Sequence, residues 1–385
     1  MPEGYFHGIK TDLIDSGTRP IKTQSDETIF MVCTADGALD AKVPVGETVM
    51  IFGENDTDMI AAIGSDGDAA THLNGIFDQV NCRVMFHRIA EGADAAETLA
   101  NVIGGIDADT EKRTGLQAAF DAKQKYKLAP SVIVAPGYSQ ELGVATEMDS
   151  IAKKLEATFV VDSPNGTIAE TLAYRGNFDA KHGYMVHPDA TALENGVDVA
   201  APASPRVAGI IAATPWWESI SNRVMYGITG TSRDIDYLGD GTSRAELLNQ
   251  NGIGTIVRHP KGGWKLLGGR SMSADPKYAF FKRARVLNVI GRTLKDQMQW
   301  AVDKNITRRF FEAVSEGVNK WMRHETELEH LAGGRCWVEA ELNTPEQQEA
   351  GSSYFDVDFT EYGEAEQVTF RLHFNNGYLA DVTPV

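Results

Sequence analysis

Between residues 113 and 213 the chain repeats one pattern: helical stretches at 113–126, 140–155, 167–175 and 204–213 alternate with short apolar runs at 131–135, 158–161 and 184–186. Helices alternating with short apolar strands make parallel β-α-β units, because each crossover helix returns the chain to the same end of the sheet. The expected fold is therefore α/β, with an open, mostly parallel sheet. Upstream segments extend it. Buried strands are expected at 28–34 and 48–52, a helix at 68–79 with Leu73, Ile76, Phe77 and Val80 on one side, a strand at 82–89 and an Ala-rich helix at 91–105. The Ala-, Asn-, Gly- and Pro-rich stretch 189–202 reads as an exposed connection.

A second, α+β region follows. Thr214-Pro-Trp-Trp217 breaks the last helix, turns crowd Gly227, Gly230 and Gly239-Asp-Gly241, and a domain junction is placed there. Strands 254–257 and 264–267 flank Gly262-Gly263 as a β-hairpin. Phe281, Ala284, Val286, Leu287, Ile290, Leu294 and Met298 then form one apolar stripe of helical period, and Phe310, Phe311, Val314, Val318 and Trp321 mark a helix at 306–324. Strands at 336–342 and 353–359 bracket a short helix at 344–350.

Both ends of the chain read as strands. Residues 5–14 carry Phe6, Ile9, Thr11 and Leu13, but the next apolar run begins only at Thr28, so this strand has no local partner. Near the other end Val368, Phe370, Leu372 and Phe374 alternate with polar residues, as in a half-buried antiparallel strand. The turn Asn375-Asn-Gly377 and a last strand bearing Tyr378, Leu379 and Val382 complete a hairpin. The expected division is an arm at 1–22, an outer α/β domain at 23–250, an inner mixed α+β domain at 251–362 and a second arm at 363–385.

Charge is segregated along the chain. Residues 253–325 hold 15 Lys+Arg against 6 Asp+Glu, residues 326–385 hold 2 against 12, and the whole chain carries a net charge of -18. Such segregation suggests self-complementary packing or a charged partner. The acidic balance disfavours nucleic acid, which needs a basic footprint. No run of about eighteen apolar residues occurs, so no membrane insertion is expected. The first residues lack the basic and apolar regions of a secretory signal. The three cysteines, Cys33, Cys82 and Cys336, are too few and too scattered for a disulfide framework or a zinc site, and fit buried free thiols in a reducing compartment.

The sharpest catalytic reading is a cytosolic α/β hydrolase built on Ser139, Asp162 and His187. Pro136-Gly-Tyr-Ser139-Gln140 lies between a strand and a helix, and the other two follow the next strands in the order Ser, Asp, His. The second glycine of a nucleophile elbow is missing. Gly230-Thr-Ser232 has no matching acid or base, no phosphate-binding loop occurs, and Gly252-Ile-Gly254 lacks the third glycine of a dinucleotide fingerprint. His324 and His330 are six apart rather than four, and Asp234, Asp236 and Asp240 fail calcium-loop spacing. No cofactor or metal is expected.

Several segments, taken in order, resemble a known family. Val102-Ile-Gly-Gly105, Arg113-Thr-Gly-Leu-Gln117, Val134-Ala-Pro-Gly137, Gly227-Ile-Thr-Gly-Thr-Ser-Arg233, Gly252-Ile-Gly-Thr-Ile256, Gly268-Gly-Arg-Ser-Met-Ser273, Tyr278-Ala-Phe-Phe281 and Trp300-Ala-Val-Asp303 are similar to contractile tail sheath proteins of myophages and R-type pyocins. The resemblance implies a structural subunit, not an enzyme, that polymerises helically around a tail tube and contracts to drive the tube through a target envelope. It implies strand exchange between copies through the arms, partners in the tail tube, baseplate and tail terminator proteins, and assembly in the bacterial cytoplasm into a virion tail or tail-like particle. Two tube-facing surfaces stay open: the basic face of Lys282, Arg283, Arg285, Arg292 and Lys295, and the 344–350 helix with Glu346 and Glu349. Contraction would draw on surface newly buried between subunits, charge pairs included.

Overall fold

The computed structural model describes residues 21–24, 27–64, 68–194 and 196–376. The first layer of elements is β1 (Thr28–Cys33), β2 (Thr48–Ile51), α1 (Thr57–Ile63), α2 (Asp68–Phe77) and β3 (Arg83–Arg88). The expected alternation follows as α3 (Ala95–Ile103), α4 (Ala119–Tyr126), β4 (Val132–Val134), α5 (Leu142–Leu155), β5 (Thr158–Asp162), α6 (Ile168–Arg175) and β6 (Gly183–His187). Local signals set the boundaries. Asp94 caps α3 by accepting from the Glu97 N–H, and Thr167 with Glu170 forms a reciprocal capping box on α6.

Past β6 the chain forms β7 (Ala190–Glu194), β8 (Val197–Ala201), α7 (Ser204–Ala213), β9 (Arg223–Met225), β10 (Gly230–Thr231), α8 (Arg244–Gln250), β11 (Ile253–Arg258) and β12 (Trp264–Leu267). One nine-stranded sheet runs in the order β2-β3-β1-β4-β5-β6-β11-β12-β9. From β3 to β11 every neighbouring pair is parallel, while β2, β12 and β9 are antiparallel additions. Alternation along β1 sends Ile29, Met31 and Cys33 to one core layer and Phe30 and Val32 to the other. Leu73 and Ile76 of α2 with Val207 and Ile211 of α7 fill the first layer; Val102, Val144, Met148 and Ile151 from α3 and α5 fill the second.

Three features depart from the expectation. The β11–β12 hairpin belongs to the large sheet rather than opening a separate core, so a boundary at 250 falls inside that sheet. Gly254 permits this: a Cβ there would stand 2.0 Å from the Tyr184 hydroxyl, which crosses the strand to donate to the Gly268 carbonyl at 2.6 Å. The 189–202 connection is the hairpin β7–β8, with β10 on its other side. Its alternation was masked because the inward residues, Ala190 and Ala192, are small. The short helices α1 and α8 were also not anticipated.

The remaining layer comprises α9 (Phe281–Gln297), α10 (Arg308–Glu327), β13 (Gly333–Val338), α11 (Pro345–Glu349) and β14 (Phe355–Thr360). Val286, Val289, Ile290, Val318, Trp321, Met322 and Cys336 pack here around Trp216. Helix α9 is buried on more than its apolar stripe, since Lys282, Arg285, Asn288 and Arg292 are buried as well.

Candidate functional site

The β13–β14 ladder is a two-stranded sheet of six residue pairs, from Gly333 opposite Thr360 to Val338 opposite Phe355. Two strands alone are marginal, and here α10 supplies support on one side. Asn319 of α10 brackets Cys336, accepting from its N–H at 2.7 Å and donating to its carbonyl at 2.8 Å. Among the described residues no further strand joins β14. Beside it lies a groove of about 1230 Å³ lined by Met298, Ile306, Phe310, Val314, Phe355 and Val357, among others.

Residues 21–24 and 361–366 both meet this layer. Ile21 packs on the cluster around Trp216, the Gln24 N–H donates to Thr293 Oγ1 at 3.0 Å, and Trp321 Nε1 donates to Thr23 Oγ1 at 2.9 Å. Buried Glu325 collects Thr23 Oγ1, Trp321 Nε1 and His330 Nδ1. Past β14, residues 361–366 lie across the start of α9. Arg283 Nε donates to Glu361 at 2.5 Å, Lys282 Nζ to the Tyr362 carbonyl at 2.7 Å, Ser219 Oγ to Glu364 at 2.6 Å, and Arg270 holds both Glu366 oxygens at 2.7 Å. Burial raises the Glu364 carboxyl above its ordinary range, whereas the Arg270 hydrogen bond lowers that of Glu366.

Beyond Glu366 that support ends. The expected half-buried strand is absent: 361–375 has no regular structure, and Phe370, Leu372 and Phe374 are 83%, 94% and 104% exposed. Alternation was legible, but among the described residues nothing covers it. Phe6, Ile9, Thr11, Leu13, Tyr378, Leu379 and Val382 lie outside the described residues.

The basic face at α9 is corrected by burial. Lys282, Arg285 and Arg292 are buried, so they are not a surface that could meet a tube. Arg285 sends its guanidinium inward, donating to the carbonyls of Ile211 at 3.1 Å and Thr214 at 2.7 Å. Arg283 and Lys295 keep some exposure but pair with Glu361 and Glu156. Part of the charge segregation is thus satisfied within one chain. Glu346 and Glu349 on α11 are exposed.

The hydrolase constellation does not form. Ser139 is fully buried and donates directly to Asp162 at 3.2 Å, while the Asp162 N–H donates to Ser139 Oγ at 2.9 Å. Asp162 also accepts from the Ser204 N–H at 2.8 Å, which places it as a tie between β5 and the start of α7. His187 pairs through Nδ1 with Ser163 at 2.8 Å, and burial drives its pKa down to about 4. Serine and histidine are therefore not partners, and the group that accepts from the Ser139 hydroxyl is the buried Asp162 carboxylate. Among the described residues no group of His, Cys, Asp and Glu could hold a metal, and no helix is long and apolar enough to cross a membrane.

The arrangement has solved counterparts, and they define its class as the contractile-sheath fold. The helical sheath of the anti-feeding prophage in its contracted state matches with a TM-score of 0.73 at 15% identity, covering 97% of this chain and 100% of that one. The contracted sheath complex of the extracellular contractile injection system PVC matches with a TM-score of 0.72 at 13% identity, over 98% and 100%.

The chain belongs to the phage tail sheath protein family. Its residues 111–272 match the phage tail sheath protein central domain and 273–375 the phage tail sheath C-terminal domain. A putative prophage major tail sheath protein of Pseudomonas aeruginosa (strain UCBPP-PA14) is 34% identical over 99% of both chains, and the tail sheath protein of Escherichia phage P2 is 30% identical over 98% of both. It is thus a structural subunit of a contractile tail sheath. The two domain models divide after β12 and before α9, where the large sheet ends.

Proposed function

We propose that copies of this subunit polymerise helically around a tail tube by exchanging strands, and remain linked through those strands as the lattice contracts and drives the tube through a target envelope. The observation that carries the reading is the pairing of an exposed alternating segment with an under-built sheet. Among the described residues nothing covers Val368, Phe370, Leu372 and Phe374, and no further strand joins β14, which lies beside an apolar groove. A strand added to β14 gains backbone hydrogen bonds and buries one face of its side chains. A repeated contact of this kind, between different patches of identical copies, builds a helix when its rotation does not close. Residues 1–22 supply the second arm, next to the point where Ile21 packs on the Trp216 cluster and Thr23 accepts from Trp321 of α10.

In this reading the large sheet with its packed helices forms the outer part, and the layer of α9, α10, β13, α11 and β14 the inner part. With three basic candidates buried, α11 carries the tube contact through Glu346 and Glu349. Baseplate and tail terminator proteins cap the two ends of the polymer. Assembly takes place in the bacterial cytoplasm, with which the buried free thiols of Cys33, Cys82 and Cys336 are compatible.

Electron microscopy of the purified protein tests this directly. Hollow helical tubes are expected from the full chain. Deleting residues 1–18, or ending the chain after Glu366, should leave a folded monomer that forms none. Unaltered tubes from both truncations would overturn the strand-exchange reading.

A further inference from the structure

The stretch between β14 and the exposed arm is more than a tether. Within residues 361–366 three carboxylates and a carbonyl are each engaged, and the partners come from three separate places: Lys282 and Arg283 at the start of α9, Ser219 in the turn after α7, and Arg270 after β12. The contacts differ in kind. The Arg270 to Glu366 pair is bidentate, the geometry that fixes direction as well as position. Glu364 is the inserted member: a Cβ on Gly269 would stand 2.5 Å from its Oε2, so glycine there leaves the space the carboxylate occupies. From Gln367 to Phe374 nothing comparable occurs. Exposure rises through Val368, Phe370 and Leu372 to Phe374.

We infer that residues 361–366 are a docked base that aims the C-terminal arm, with Arg270, Arg283 and Ser219 as positioning residues for strand donation. The inference rests on the strand-exchange reading and sharpens it. The free span starts at Gln367, one residue before the alternating segment begins. At about 3.4 Å per extended residue, the accepting edge of the neighbouring copy must then lie within roughly 10 Å of the Arg270 corner. Undocked, the free span would begin at the end of β14. Lengthening it from about two residues to about eight dilutes the donated strand at its acceptor by roughly eightfold, since effective concentration falls approximately as the −3/2 power of linker length. The Arg270 to Glu366 pair is partly exposed and contributes little to folding, so that contact can be broken without unfolding the subunit.

The experiment compares full-length chains carrying R270E, E366R, the swap R270E/E366R, and R270E with R283E. Read-outs are the critical concentration for tube formation, the helical order of the tubes, and the urea midpoint of the unassembled subunit. Both single variants should raise the critical concentration about fivefold to tenfold or broaden the helical order, with an unchanged urea midpoint. The swap should restore both. The milder R270Q and E366Q cover the case in which a reversal lowers the midpoint, and are expected to shift assembly in the same direction. Wild-type tubes from R270E with R283E, beside a chain ending at Glu366 that forms none, would overturn the docked base and keep strand exchange. Wild-type tubes from that truncation would overturn both. Loss of assembly that the swap does not restore would also overturn the inference, because the pairing itself would then not matter.

Discussion

Substituting Arg285 by alanine separates a buried brace from a tube-binding cation. Arg285 is fully buried on α9 and reaches the carbonyls of Ile211, Thr214 and Glu218 at 3.1, 2.7 and 3.3 Å. Ile211 lies in the last turn of α7, where four carbonyls lack intrahelical partners and the helix dipole favours a cation. Arg285 is thus a cap supplied from another helix, joining α9 to the end of α7. Alanine leaves buried acceptors with nothing to replace the donors, at about 1–3 kcal/mol for each unsatisfied group. These costs overlap, because a truncated site relaxes and the desolvation of the guanidinium is no longer required. A net loss of about 3 kcal/mol is expected, the cost of the unsatisfied carbonyls less that relaxation. For a cooperative unit of 150–250 residues that lowers Tm by about 10 °C. The assay is urea or thermal unfolding of the unassembled subunit, with Arg285→Lys as a partial replacement of intermediate stability. Wild-type stability in Arg285→Ala with a selective loss of tube binding would refute the brace and restore the basic-face reading.

Three further outcomes are expected. Ser139→Ala should cost about 1–2 kcal/mol by removing its hydrogen bonds to Asp162 and leave tube assembly unchanged; covalent labelling of Ser139 by a serine-reactive probe would contradict this. His87 accepts from the Gly115 N–H through Nε2 and pairs with Thr48 through Nδ1, and burial pushes its pKa from 6.5 down to about 4. The unfolded chain therefore binds the extra proton first, so this contribution is complete above pH 6.5 and is lost as pH falls towards 4; His87→Gln should flatten the fall of the urea midpoint over that interval, and an unchanged slope would count against it. Gly254→Ala should destabilise by about 1–3 kcal/mol through overpacking against the rigid ring of Tyr184, measured by the same unfolding assay, and a neutral result would show that the strand crossing is looser than described.

Much of the fold was legible because its signals are local. A helix or strand is read from residues a few places apart, so the alternation from 113 to 213 already implied the parallel sheet, and α7 was expected at its observed limits. The alternating segment at 368–374 also reads as a strand, but no regular structure forms there and its apolar residues stay exposed, because nothing among the described residues covers them. Hairpin β7–β8 was hidden because alanine on its buried side leaves no strong apolar period.

What the sequence determined by itself is the class of fold and the resemblance to sheath subunits. What only the tertiary structure decided is the use made of individual polar residues. Arg285 reads from its neighbours as part of a basic helix face, yet the carbonyls of Glu218, Thr214 and Ile211 that accept from it lie 67, 71 and 74 residues away. Ser139 and His187 follow strands as catalytic residues would, but each is tied to a different partner. Glu361, Glu364 and Glu366 look like a solvated acidic tail until the fold brings Arg283, Ser219 and Arg270 beneath them. A charged side chain is stabilised by groups that surround it in space, and folding chooses those groups without regard to their distance along the chain.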